Sequence, residues 1–385
     1  IGTDVRFVRG ETRENFSFAA GDFTQQRVAG GAQLVAGLFG LHERSHGNGW
    51  RATMSARLDT LSDTDGRRRE TDRVTGAVLR DEHHHNIDDV QFSPGAGLAW
   101  TPSRGWRARA SAQQAFRRPT LNELYRPDRA GPNNTEANAD LRTERVTSAE
   151  IGVDWTLFVQ RPPAPVREPV SGTSRRSAVQ PARPRPPVST AVLTLGATAF
   201  HNELRDAVSD VTLARGPGVV PVFGPITASG VGRQRRNLDL TRVRGLDLSV
   251  KWTPWPALTI TGDFIFNDAA IRRAAVALWL VGNRVAQVPR RSALLGATWR
   301  APAMLTFTPR LRYTGRQFED AENQLTLGEV VVVDLGISRT LNKNIEIFLT
   351  GENLANARIE TGRSADGVVN VGTPRLVIGG LRGSW

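Results

Sequence analysis

Ile345-Glu346-Ile347-Phe348-Leu349-Thr350-Gly351-Glu352-Asn353-Leu354-Ala355-Asn356 alternates apolar and polar residues. After a polar loop, Gly372-Thr373-Pro374-Arg375-Leu376-Val377-Ile378-Gly379-Gly380-Leu381-Arg382-Gly383-Ser384-Trp385 does so again and ends on a bare aromatic. Period-two alternation places every second side chain on the same face of a strand. A closing Trp fits a membrane interface, where the indole lies at headgroup level and its apolar neighbours face hydrocarbon. Trp385 is in register with Leu381 and Val377, so these are expected on the lipid side and Arg382 on the other.

The same alternation recurs upstream. Trp50, Ala52, Met54, Ala56 and Leu58 share one face, with Arg51, Thr53, Ser55, Arg57 and Asp59 opposite. Leu246, Leu248, Val250 and Trp252 oppose Asp247, Ser249 and Lys251. No comparable stretch carries a helical stripe, so the chain reads as all-β. The pattern predicts fourteen strands near 2–11, 30–43, 49–60, 88–101, 105–116, 143–158, 190–206, 234–253, 257–268, 289–300, 304–316, 329–340, 344–356 and 371–385. Long polar loops (12–28, 61–86, 117–142, 207–232, 269–287, 317–328, 357–370) take turns with short ones such as Thr253-Pro254-Trp255-Pro256 and Leu341-Asn342-Lys343-Asn344. An antiparallel transmembrane β-barrel explains that rhythm, because its periplasmic turns are short and its extracellular loops long.

Composition agrees. The 385 residues include 37 Gly and 2 Met, 39% are hydrophobic, and no apolar run reaches the length of a membrane helix. Cysteine is absent, which removes disulfides, thiol nucleophiles and Cys-ligated zinc. The net charge of +12 is almost wholly Arg, since Lys251 and Lys343 are the only lysines. Such a surplus suits anionic headgroups, anionic ligands or nucleic acid. The arginines are scattered rather than gathered in one helix or tail, which argues against nucleic acid. Phosphate loops, metalloprotease helices and nucleophile elbows are all missing, so no enzyme, catalytic residue or cofactor is expected. His83-His84-His85 lies beside Asp81 and Glu82, but three adjacent residues on an extended loop cannot converge on one ion, and no metal site is expected.

Ile1-Gly2-Thr3-Asp4-Val5-Arg6-Phe7 lacks a signal-peptide pattern and reads as the middle of a strand. The expectation is that residue 1 is not a natural start. Residues 161–188 fall where a short periplasmic turn is due, yet they are Pro- and Arg-rich. They are expected to be a disordered insertion within a single barrel portion spanning 1–385.

Ala115-Phe116-Arg117-Arg118-Pro119-Thr120-Leu121-Asn122-Glu123-Leu124-Tyr125-Arg126-Pro127 ends a strand, blocks pairing at Pro119 and opens a loop. This run resembles, nearly residue for residue, a signature of the TonB-dependent outer-membrane receptors. The runs RNLDLTRVRGLDLSVKWTP, VPRRSALLGATW, RYTGRQFEDAEN, FLTGENLANARIETG and GTPR extend the resemblance over most of 87–385. The matching positions are Phe116, Pro119, Leu121, Asn122, Glu123, Leu124, Tyr125, Asn353, Asn356 and Trp385. The resemblance implies a location in the outer membrane, contact with its lipid, and a barrel of about 22 strands, of which this chain supplies about fourteen. It also implies import of a ferric siderophore or similar chelate, through an N-terminal plug domain moved by the TonB protein. That plug has no counterpart here. Arg126, Arg129, Arg215, Arg233 and Tyr125, on the predicted outer loops, are the candidates to meet an anionic chelate. A passive porin-like channel or structural barrel is the alternative.

Overall fold

The computed structural model describes residues 1–19, 21–130, 133–161, 188–220, 224–228 and 230–383. Fourteen strands form one antiparallel path in strict chain order. They are β1 Gly2–Ala19, β2 Asp22–His46, β3 Trp50–Asp72, β4 Ile87–Ser103, β5 Trp106–Arg117, β6 Glu144–Arg161 and β7 Val188–Arg205. The path continues through β8 Leu240–Trp255, β9 Leu258–Arg273, β10 Arg291–Ala301, β11 Leu305–Thr314, β12 Val330–Thr340, β13 Ile345–Glu352 and β14 Leu376–Gly383. Each strand pairs with its successor, and β1 and β14 end the path among the described residues.

The two faces differ as the alternation requires. Val5, Phe7, Leu38, Met54, Leu58, Leu246, Leu248 and Trp252 are exposed on one side, while Asp59 and Asp63 are buried on the other. Exposed apolar side chains along every strand are what a lipid-facing wall presents. On β8 the outward row is apolar from Trp252 to Leu246 and turns polar at Arg244, which bonds Asp268 of β9. Tryptophan marks the opposite limit. Trp50, Trp100, Trp106, Trp155, Trp252, Trp255 and Trp299 lie towards the short-turn ends of their strands, and Trp50 stacks on Trp100 with ring centroids 5.4 Å apart. Amphipathic rings gather at a membrane interface for the reason given above for Trp385.

Several predicted loops are strand instead. The 12–28 interval is the continuation of β1 and β2, and most of 61–86 is β3 pairing with Val78–His83. β1, β2 and β3 run 18, 25 and 23 residues, well beyond the 9–11 that span a bilayer. Their far halves stand in water, where no face must be apolar, so the period-two signal vanishes while the ladder continues. The predicted strand 234–253 breaks at Asp239: Val231–Leu238 leaves the wall for a four-stranded cap sheet with Ala207–Arg215, Asn133–Glu136 and Asp128–Ala130. The 317–328 and 357–370 loops carry two-stranded ribbons, the connection after β9 carries a 3-10 turn at Leu278–Leu280, and a short helix, α1, spans Leu121–Tyr125.

The largest buried apolar cluster lies in this cap, where Val211, Leu238, Ile271, Ala277 and Leu280 pack together. Residues 162–187, the centre of the Pro/Arg-rich segment, lie outside the described residues, as does Trp385. The strands flanking that segment do pair, with Leu193 opposite Leu157 and Leu195 opposite Trp155.

Candidate functional site

The signature loop leaves β5 and turns back onto the polar face of the wall. Thr120 caps α1: its Oγ1 accepts from the Glu123 backbone N–H, and Glu123 Oε2 accepts from the Thr120 N–H at 2.7 Å. This reciprocal box satisfies two donors that a helix start would otherwise strand. The helix then drives Leu124 and Tyr125 into a buried cluster with Leu141. Gly31 and Gly66 make room for the ring, since a Cβ at Gly66 would lie 2.5 Å from Tyr125 Cζ. His84 stacks on its other side at 5.3 Å, and burial holds the imidazole below its ordinary value.

Tyr125 is therefore not a loop-borne contact for ligand. Only 1% of it is exposed, and burial pushes its phenol up to about 12. Its partners Gly31, Gly66 and His84 are remote in sequence, which hid the packing from a local reading. The rest of the signature also serves attachment. Pro119 is buried and its carbonyl accepts from Gln33 at 2.8 Å. Arg118 pairs with buried Asp63, and Glu123 accepts from Arg117 at 2.9 Å. The Asn122 carbonyl accepts from Arg235 at 3.0 Å, while Leu121 lies over Gly10. Phe116 stands beside these groups near the end of β5.

Arg126 belongs to a chain of alternating charge. It donates to Glu14 at 2.8 Å, Glu14 accepts from Arg27 at 3.1 Å, and Arg27 donates to Glu70 at 2.7 Å. Glu70 also accepts from Arg68 at 2.8 Å, and Arg68 donates to Glu136 at 2.7 Å. Burial alone would raise the Glu70 carboxyl; Arg68 and Arg27 outweigh it and hold it below the ordinary value. The chain ties the tip of the β1–β3 wall to the cap. Arg126 is engaged in that tie.

A cleft of about 460 Å³ opens between the cap sheet and the 317–328 loop. Arg215 and Arg233 line it together with Asp210, Glu319, Asp320 and Glu322. Arg215 pairs with Glu322. Glu319 accepts from Gln287 at 3.0 Å, and Asp320 accepts from the Leu325 N–H at 2.7 Å. Arg233 donates no side-chain hydrogen bond among the described residues and is the cation most open to an added group. Asp210 stands at the lip with half its side chain exposed; the surrounding walls push its carboxyl up, against the pull of Arg235 and Arg233.

Two of the expected ligand residues, Arg215 and Arg233, thus share a cavity. Arg129 sits in the ladder opposite Asn134, and neither it nor Arg126 lines the cleft. The acidic partners were legible only as the Glu319-Asp320-Ala321-Glu322 run, whose destination the sequence did not disclose. Four carboxylates against two guanidiniums make the cleft mixed in charge rather than a plain anion funnel. Among the described residues, no group of three or more His, Asp or Glu is arranged to hold a metal ion.

The C-terminal asparagines organise a turn. Asn353 is buried with φ 49°, and Asn356 has φ 51°. Both occupy the left-handed region that Asn tolerates better than most residues. Asn353 Nδ2 donates to the Ala357 carbonyl at 2.9 Å while its Oδ1 accepts the Ala357 N–H at 2.8 Å. Asn356 Oδ1 accepts from the Arg375 N–H at 3.0 Å, at the approach to β14.

An ordered β-wall with an apolar exterior, a polar inner face, an aromatic rim and a folded cap defines an outer-membrane-type barrel. The family model for the TonB dependent receptor-like beta-barrel matches residues 2–161 and 185–354, and the chain belongs to that family. The interval it skips falls within the Pro/Arg-rich segment. Among solved structures, the chain is similar to the ferric yersiniabactin uptake receptor FyuA from Yersinia pestis, at 14% identity and TM-score 0.68, over 98% of this chain and 49% of that one. It is similar to the copper transporter OprC at 13% identity and TM-score 0.67, over 100% and 57%. The siderophore receptor PiuA from Acinetobacter baumannii matches at 15% identity and TM-score 0.60, over 93% and 44%. The chain spans about half the length of these relatives. No curated protein sequence matches it. The family is one of outer-membrane receptors and transporters rather than enzymes.

Proposed function

We propose that the chain is the C-terminal barrel part of an outer-membrane receptor that takes up a ferric siderophore or a similar metal chelate. The observation that carries this reading is the polar cleft in the cap, where Arg233 stands open beside the Arg215–Glu322 pair. Its volume lies within the range of small-molecule sites. The mixed charge suits a chelate that presents both anionic oxygens and hydrogen-bond donors. Passage through the barrel would require the parent's plug domain and the TonB protein, with no covalent chemistry in the wall.

The test is uptake of radiolabelled iron by iron-starved cells carrying the complete gene, compared with cells lacking it, over a panel of ferric chelates of different charge. One or more chelates should depend on the gene, and Arg233→Ala should raise the half-saturating concentration about tenfold, the loss expected for one charge-assisted contact. Gene-independent uptake of every ferric chelate, with gene-dependent uptake of a copper complex, would assign the receptor to another metal.

A further inference from the structure

The cleft between the cap sheet and the 317–328 loop is lined by six charged side chains, and four of them are already engaged. Arg215 pairs with Glu322. Glu319 accepts from Gln287 at 3.0 Å. Asp320 accepts the Gln324 N–H at 3.0 Å and the Leu325 N–H at 2.7 Å, which fixes the turn of its own loop. What remains is one charge of each sign. Arg233 makes no hydrogen bond or ion pair among the described residues. Asp210 accepts no hydrogen bond there either, and the cation nearest it, Arg235, stands at 4.0 Å with its Nη1 donated to the Asn122 and Arg126 carbonyls.

The ladder places these two free groups side by side. Ala207–Arg215 pairs antiparallel with Val231–Leu238, with Asp210 opposite Arg235 and Thr212 opposite Arg233. Alternation puts Asp210, Thr212 and Arg233 on one face, the face that lines the cleft. Asp210 and Arg233 are therefore diagonal neighbours, about 7–8 Å apart along the backbone. Burial pushes the Asp210 carboxyl up while Arg235 and Arg233 pull the other way, so the two free heads stand near enough to feel each other. A ligand group of one sign satisfies only one of them: an anion meets Asp210 as a like charge, and a cation meets Arg233 as one. A group with an ammonium and a carboxylate a few atoms apart satisfies both, through a charge-assisted bond of about 2.8 Å at each end.

We propose that the cleft recognises a free α-amino acid group on the chelate it takes. Arg233 donates to the carboxylate, whose geometry its paired donors match, and Asp210 accepts from the ammonium. The metal-bearing part of the chelate lies outside this contact, so the preference belongs to the amino acid group whichever oxygens hold the iron. The inference rests on the cleft being the chelate site, and it narrows the substrates to chelates that carry a zwitterion. A wholly anionic chelate leaves Asp210 unanswered and is disfavoured.

Calorimetric titration of the complete receptor in detergent tests this with three synthetic ferric trihydroxamates that share one iron-binding core. One carries a free α-amino acid, the second has that amine acetylated, and the third has that carboxylate converted to an amide. The free form should bind about tenfold tighter than either blocked form, one charge-assisted contact being lost in each. Two variants should divide the effect. Asp210→Asn should erase the preference over the acetylated form and keep that over the amide, and Arg233→Gln should do the reverse. A merely structural role would lower all three affinities together. If a variant fails to fold, as judged by circular dichroism, the comparison of the three probes on the unaltered receptor still decides. Equal binding of the three forms, or no binding of the free form at millimolar concentration, would overturn the proposal. Uptake separates this outcome from the broader reading: iron uptake that depends on the gene but not on the amino acid group removes this proposal alone. Tight binding of the free form without gene-dependent iron uptake would instead remove the ferric reading and keep the amino acid contact.

Discussion

Glu70 shows how one residue sets a pH limit. Its carboxylate accepts from both Arg27 and Arg68 in a buried setting, and those cations hold it below the ordinary 4.5. The unfolded chain therefore binds more protons than the folded one wherever the two states titrate differently. The stabilisation is fully present above about 4.5 and is lost as pH falls through the lower folded value. Unfolding midpoints in denaturant should be flat from neutral pH down to that region and then drop. Glu70→Gln should cost about 3 kcal/mol at neutral pH, by leaving Arg27 and Arg68 short of charge, and should make the acid drop shallower. A variant with unchanged pH dependence would remove Glu70 from this role. Gly66 is the steric counterpart. Gly66→Ala places a methyl against the Tyr125 ring, which is hemmed in by Gly31 and His84. An overpacking cost of about 1–3 kcal/mol is expected, whereas Gly66→Ala combined with Tyr125→Ala should recover part of it. Additive losses in the pair would show that the two positions do not meet.

At the scale of elements, the wall strands were legible because lipid on one side and a polar interior on the other impose period two. Leu246, Leu248, Val250 and Trp252 carry that signal without interruption. It fails where the constraint stops: β2 continues through Arg27 and β3 through Glu70 by cross-strand ion pairs, which leave no hydrophobic rhythm. The cap was illegible for a second reason. Val231–Leu238 pairs in parallel with Asn133–Glu136, a contact between distant segments that no local pattern specifies. The site inherits both limits: Arg215 and Arg233 were singled out by charge and loop position, but their acidic companions enter the cleft through tertiary packing. The lipid-facing assignment makes a sharp prediction. Leu248→Arg puts a cation in the apolar belt and should cost about 2–4 kcal/mol, measured as unfolding in phospholipid vesicles. Ser249→Arg, on the opposite face of β8, should cost far less; comparable losses would contradict the facing of the strand.

For the whole molecule, the decisive quantity is direction across the membrane, because the proposed chelate cleft lies outside only if the cap does. Two features agree on it: the folded connections cluster at one end of the wall, and seven of the eight described tryptophans, all but Trp279 of the cap, cluster at the other. Absence of cysteine makes the direction directly measurable, since any introduced thiol is the only one in the chain. Val74 is 85% exposed at the tip of the long β3 hairpin, and Lys343 is exposed in the short turn between β12 and β13. Neither side chain makes a hydrogen bond or ion pair among the described residues, and the Val74 backbone N–H that donates to Asp72 is kept in the cysteine variant. In cells carrying the complete gene in an otherwise cysteine-free form, Val74→Cys should react with a membrane-impermeant maleimide while the outer membrane is intact. Lys343→Cys should react only after that membrane is opened. The reverse order would place the cap in the periplasm, which would remove the proposed chelate cleft from the cell surface while leaving the strand order and register untouched.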